Sequence, residues 1–141
     1  MRNSRRLEDL HVKVRAKAEL FLGKCEAEGI DVLVTCTWRD DEAQDALYAQ
    51  GRMRPGKIVT KARGGESFHQ YKVAFDIVPL RNGKCVWGTK GEDKKLWVHL
   101  GELGESVGLE WAGRWKGFPE FPHFQFTGGL SIEDLKGGRR L

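Results

Sequence analysis

Cysteine is scarce in this chain. The 141 residues hold 3, at Cys25, Cys36 and Cys85, with no C-x-x-C pair among them. An odd, scattered set cannot build a closed disulfide framework and lacks the paired spacing of a thiolate metal site, so free, reduced thiols and accumulation in a cytoplasm are expected. No apolar run approaches the roughly 18 residues needed to span a bilayer. The N-terminus Met1-Arg2-Asn3-Ser4-Arg5-Arg6 is basic, but the apolar core of about 7 to 15 residues that makes a secretory signal does not follow it. Internal repeats, low-complexity tracts and linkers are also missing, which predicts one domain over residues 1–141 with a core of its own. Acidic residues are outnumbered, 20 against 24 Lys and Arg, giving a net charge of +4 and an isoelectric point near 9.1. That favours anionic partners. No basic stripe with interleaved aromatics accompanies the charge, so nucleic acid is not the expected one.

Periodicity organises what is present. Leu7, Leu10, Val14, Ala18, Phe21 and Cys25 recur in steps of three and four, predicting an amphipathic helix closed by Gly29. Asp31–Cys36 reads as a buried strand. Asp40 or Asp41 can cap a short helix ending at Gly51. Arg52–Glu66 reads as a basic, glycine-containing loop, a candidate flap on the substrate side. Val73–Val78 is rich in β-branched and aromatic residues and reads as a strand stopped by Pro79. Asn82-Gly83 then predicts a hairpin to Lys84–Trp87. Asp93–Val107 is a second amphipathic helix, with Leu96, Trp97, Leu100, Leu103 and Val107 inward, and Phe121–Phe126 is a further strand-like segment. The tail from Gly128 predicts a short helix with a loose basic tip. The fold class expected is α+β: a small, mainly antiparallel sheet with helices packed on it.

Against that frame His69, Asp76, Glu120 and His123 carry the chemistry. Strand alternation puts Ala74, Asp76 and Val78 on one face and Val73, Phe75 and Ile77 on the other. In the same way His123 and Gln125 share a face opposite Phe124 and Phe126. If the two strands are neighbours, Asp76 and His123 converge, and His69 reaches them from the loop before the first strand. Two imidazoles and a carboxylate form a zinc set of the catalytic type, which leaves the fourth position open for water. Glu120 is placed to take a proton from that water. Taken singly, each of these residues has an ordinary structural reading as a hydrogen-bonded group, and His11 and His99 are read that way. Trp111 and Trp115 either line a groove or pack in the core.

The stretch Ser67-Phe68-His69-Gln70-Tyr71-Lys72-Val73-Ala74-Phe75-Asp76, followed far downstream by Glu120-Phe121-Pro122-His123, resembles the M15 peptidases. That family includes D,D-carboxypeptidases of the VanY type and phage endolysins that are L-alanyl-D-glutamate peptidases. Thr37-Trp38-Arg39 with Gln44, Leu47, Tyr48 and Gly51-Arg52 is similar to the family segment that carries an active-site arginine. Pro55–Thr60 and Leu109–Trp115 look like endolysin-branch sequence. The likeness covers about residues 30–127. Lys72 stands where the family usually has Gly, and Glu120 where many endolysin relatives have Asp.

The resemblance implies an M15/VanY-like zinc peptidase fold, one Zn2+ held by His69, Asp76 and His123, Glu120 as general base, and Arg39 holding a substrate carbonyl or carboxylate. It implies peptidoglycan stem peptides as the partner, cut between L-alanine and D-glutamate by a monomeric phage endolysin with no stable membrane association. Such an enzyme would accumulate in the host bacterial cytoplasm, be released to the periplasm, and act on the wall with its catalytic domain alone, without a separate wall-binding domain. The alternatives are a D-Ala-D-Ala carboxypeptidase with the same zinc centre, a non-catalytic zinc-containing wall-binding module and, more weakly, a Mg2+-dependent nuclease built on oxygen ligands.

Overall fold

An antiparallel sheet carries the molecule, and the computed structural model describes all of residues 1–141. The elements are α1 (Val12–Ala27), β1 (Val32–Cys36), α2 (Asp41–Ala49), β2 (Ala74–Arg81), β3 (Lys84–Cys85), α3 (Glu92–Ser106), β4 (Glu110–Trp111), β5 (His123–Gln125) and α4 (Ile132–Lys136). The strands run in the order β1-β2-β5-β4, with β3 paired to the far end of β2. Asn82 and Gly83 both take positive φ, 53° and 75°, the conformation of a two-residue hairpin turn whose twist matches that of its strands.

The core lies under α1 and α3. Val14, Ala18, Phe21 and Cys25 of α1 are buried with Phe75, Ile77 and Phe124 of the sheet and Trp97 and Leu100 of α3. Phe124 stacks against Phe75 with ring centroids 5.8 Å apart and against Phe21 at 4.8 Å. Each fully buried side chain of this size contributes about 1.5–3 kcal/mol. Two glycines let α3 come close to the sheet. A Cβ on Gly101 would lie 2.3 Å from the Trp111 ring, and one on Gly104 2.5 Å from Phe124.

Several expectations need correction. The first helix does not include Leu7. Leu7–Asp9 is a separate 3-10 turn, and the helix starts after His11. The His11 ring accepts from Lys13 N at 3.1 Å, capping α1. β1 is an edge strand and only partly covered, with Cys36 its one buried residue and Leu33 38% exposed. Pro79 does not stop β2, which runs on to Arg81. On one side Leu80 N donates to Asp31 O at 2.9 Å, and on the other Val86 N donates to Pro79 O at 2.9 Å. The proline thus forgoes only the return bond at the end of the β2–β3 ladder, where such a loss is tolerated. The C-terminal tip is tied down as well. Leu135 is buried, Leu130 and Leu141 pack on the core, and Arg140 donates to Leu135 O at 2.8 Å.

Candidate active site

β2 and β5 set the centre of the site. Asp76 is paired directly with His123 in the antiparallel register, one step along from the Phe75–Phe124 pair. His123 Nδ1 lies 3.2 Å from Asp76 Oδ1. The third member comes from the 3-10 turn Phe68–Tyr71. Ser67 caps this turn in a reciprocal box with Gln70, accepting from His69 N at 3.3 Å while Gln70 Oε1 accepts from Ser67 N at 2.9 Å. His69 Nε2 then reaches the same Asp76 Oδ1 at 3.2 Å. Lys72 turns the chain from this loop into β2 with φ 63° and ψ 26°, the left-handed conformation that suits Gly best. Its carbonyl accepts from His11 N at 2.9 Å, and its Nζ sits 4.6 Å from the Trp38 ring centre.

The outer nitrogen of each imidazole is engaged by an oxygen. His69 Nδ1 lies 2.9 Å from Thr37 O, and His123 Nε2 lies 2.7 Å from Gln125 Oε1. These acceptors take the ring N–H and leave His69 Nε2 and His123 Nδ1 facing Asp76, the orientation a metal-binding histidine needs. Both rings are buried, while Asp76 is 23% exposed, so the point where the three meet is reached from outside. Burial alone pushes the His69 pKa down, but the Asp76 carboxylate beside it prevails and raises it from 6.5 to about 10. Burial likewise pushes Asp76 up, and the His69 and His123 rings more than reverse this, holding it well below the usual carboxylate range. Without a metal the His69 ring thus holds a proton against the Asp76 carboxylate. A divalent cation can replace that proton using the same three donor atoms.

Cys36 is buried as expected of a core residue, but its thiol borders the site. Cys36, His69 and Asp76 offer donor atoms within 4.8 Å of one another. The Sγ, however, approaches His69 from the Nδ1 side at 3.6 Å, the nitrogen already taken up by Thr37. A cation at Nε2 is better served by His123, and Cys36 belongs to the scaffold. Arg39 completes that scaffold. Its Nη1 donates to Gln44 Oε1 at 2.8 Å and its Nη2 to Cys36 Sγ at 3.3 Å, while its Nε is buried without a partner. Gln44, fully buried, also accepts from Gln70 Nε2 at 3.2 Å and donates to Thr60 Oγ1 at 3.3 Å and Ala62 O at 2.8 Å. It fastens the Arg52–Glu66 loop to the arginine. Residue types and spacing give no sign of this link, nor of the Thr37 carbonyl on His69.

Glu120 stands at the rim, 40% exposed, with Oε1 3.9 Å from His123 Nδ1. That leaves it near the three donors yet facing solvent, where it can exchange a proton. The Trp115 ring lies 5.3 Å from His123, whereas Trp111 is buried and donates to Phe121 O at 2.8 Å. His99 and His11 lie outside the site: His99 pairs with Glu28, and His11 caps α1. Two hollows meet at Asp76, Glu120 and His123. One, about 490 Å³, runs past Arg39, Thr60 and Ser67. The other, about 410 Å³, runs past Trp87, Phe118, Phe121 and Pro122. Together they form a groove that continues on both sides of the cluster. No helix is long and apolar enough to cross a membrane.

Residues 60–126 match the peptidase M15 family description "D-alanyl-D-alanine carboxypeptidase". The chain is 38% identical over 122 residues to the peptidoglycan L-alanyl-D-glutamate endopeptidase CwlK of Bacillus subtilis (strain 168), covering 83% of this chain and 73% of that relative. It is 32% identical over 114 residues to the L-alanyl-D-glutamate peptidase of Listeria phage A118, covering 80% of this chain but only 36% of the phage protein. Among solved structures, the L-Ala D-Glu endopeptidase ChiX of Serratia marcescens superimposes with a TM-score of 0.63 at 19% identity, over 92% of this chain and 86% of that one. A VanY D,D-pentapeptidase variant in complex with Zn(II) does so with a TM-score of 0.61 at 18% identity, over 89% and 82%. At these identities the structural likeness is one of fold.

Proposed function

This chain belongs to the M15 family of metallopeptidases, and from that premise we propose that it is a zinc-dependent peptidoglycan endopeptidase, hydrolysing the bond between L-alanine and D-glutamate of stem peptides. The observation that carries the reading is a groove open on both sides of three donor atoms aimed at one point. An endopeptidase must let substrate extend both ways, whereas a carboxypeptidase needs one blocked end. The relatives named above support the choice of bond.

His69, Asp76 and His123 would hold the zinc, through Nε2, a carboxylate oxygen and Nδ1. Bound there, zinc supplies a Lewis acid for the scissile carbonyl and makes water more acidic. The remaining work belongs to the chain. Glu120 takes the proton from the attacking water and returns it to the leaving amine. Arg39, held by Gln44 and Cys36, offers its guanidinium to a substrate carboxylate or to charge developing on the carbonyl. Thr37 O and Gln125 Oε1 keep the two imidazoles in the required orientation. Leu135 and Leu141 close the core beneath the same sheet, so these residues pack as part of the unit that carries the site. The phage relative supports an endolysin role, with synthesis in the host cytoplasm and action on the wall.

A second reading, a D-Ala-D-Ala carboxypeptidase, is favoured by the matching family description and by Arg39 as a carboxylate clamp. Digestion of purified sacculi separates the two. The endopeptidase exposes new amino-terminal glutamate. Release of free D-alanine without new glutamate amino termini favours the carboxypeptidase.

A further inference from the structure

The two hollows differ in kind. Beyond the residues they share at the centre, one carries the charged and hydroxyl side chains Arg39, Glu66, Thr60 and Ser67. The other contains no Lys or Arg and is walled by Trp87, Phe118 and Phe121, with Val59 common to both. Its rim is unusually apolar for a surface in water: Trp87 is 56% exposed, Phe118 46% and Val59 49%. Trp97, Trp111 and Trp115 direct their indole N–H groups to Gly88 O, Phe121 O and Glu110 Oε2. Trp87 makes no such bond and lines the hollow with its ring exposed and its donor unpaired. Lys61 Nζ sits 5.1 Å from the Phe118 ring centre, which leaves Trp87 the more open of the two rings.

Substrate chemistry assigns the ends. D-Glutamate follows the scissile bond and carries the free carboxylate, which suits Arg39. L-Alanine precedes the bond, and its amine is acylated by the lactyl group of the muramyl sugar. One residue spans at most about 3.3–3.6 Å, so a groove that cuts after L-alanine must meet the sugar almost at once. We propose that the apolar hollow is the glycan subsite, with the exposed Trp87 ring as the stacking platform for the muramyl sugar and Phe118 as its flank. This assignment rests on the endopeptidase reading. A tryptophan with an apolar face and a free N–H suits a sugar, whose C–H face stacks while its hydroxyls accept. The groove thereby has a direction, glycan to amide to carboxylate, running from Trp87 past His123 to Arg39.

The test uses a matched pair of substrates: a muramyl stem peptide, and the same peptide with an acetyl group in place of the muramyl group. The wild type cleaves both between L-alanine and D-glutamate and prefers the muramyl form. Trp87→Ala loses about five- to tenfold in kcat/KM on the muramyl peptide, mostly through KM. It leaves the acetyl peptide unchanged, and Trp87→Tyr recovers much of the loss. An equal loss on both substrates, or no loss on either, overturns the glycan subsite alone. A wild type that cleaves neither substrate at this bond overturns the endopeptidase reading and this assignment with it.

Discussion

Two neighbouring cross-strand pairs on β2 and β5 do opposite work. Phe75 and Phe124 stack at 5.8 Å with their planes 14° apart, in a fully buried cluster with Phe21. One residue further, Asp76 faces His123 at 3.2 Å, with its carboxylate shared by His69. The first pair stabilises the fold by leaving water. The second costs desolvation, which the attraction between its charges outweighs, and it makes a place for a cation. Because side chains alternate along a strand, a register slip of one residue would break both. The packing of Phe124 is what holds His123 in place.

The largest expected effect breaks the apolar pair. Phe124→Ala removes a ring that touches α1, β2 and α3 and should lower stability by about 3–5 kcal/mol in urea or thermal unfolding. Zinc content should fall with it, since His123 is the adjacent residue. A loss below about 1 kcal/mol would mean that the ring does not anchor the ladder. Next in size is Glu120→Gln, which leaves both pairs intact. Turnover should fall about a hundredfold or more while zinc content and melting temperature hold. If the metal were lost too, Glu120 would be a ligand.

A pH series sharpens the contrast, because only the polar pair titrates. In metal-free protein the His69 contribution, from a pKa raised from 6.5 to about 10, is full below pH 6.5 and is lost as pH rises through about 10. The Asp76 contribution, from a pKa lowered from 3.8, is full above that value and is lost as pH falls below it. The stability difference between wild type and Asp76→Asn, measured in chelator, should therefore peak between 3.8 and 6.5 and shrink on both sides. A difference that does not vary with pH would contradict the shared-proton picture. The smallest effect concerns the entry to β2. Lys72→Gly relieves a left-handed residue at φ 63° and should change stability by no more than about 1 kcal/mol, in the stabilising direction. The Trp38 contact of Lys72 works against that gain, so a clear loss would show that the contact outweighs the strain.

The sequence made the polar pair easier to read than its support. His69, Asp76, Glu120 and His123 stand out by type and spacing, and alternation placed Asp76 and His123 on one face of adjacent strands. The Asn82-Gly83 turn was equally legible, because its backbone demands those residues. Other features depend on contacts between distant segments and leave no local pattern. Thr37 holds His69 through a carbonyl, which any residue could supply. Gln44 reads as a polar helix residue until Arg39, Gln70, Thr60 and Ala62 are seen around it. Gly101 and Gly104 look like weaknesses in a helix rather than room for Trp111 and Phe124. Pro79 reads as a stop because its place at the end of the β2–β3 ladder, beside Val86, is invisible from β2, and Leu141 reads as part of a loose tail because its pocket lies at Gly128.

The most direct test of the two-pair account is metal stoichiometry measured together with activity. Chelated protein is reloaded with zinc and compared with His123→Ala, which removes a donor from the polar pair and leaves Phe75 and Phe124 in place. The account predicts about one zinc per wild-type chain, with peptidoglycan cleavage lost on chelation and restored on reloading, and a folded variant that binds little zinc. Full cleavage by wild-type protein after exhaustive chelation would contradict it.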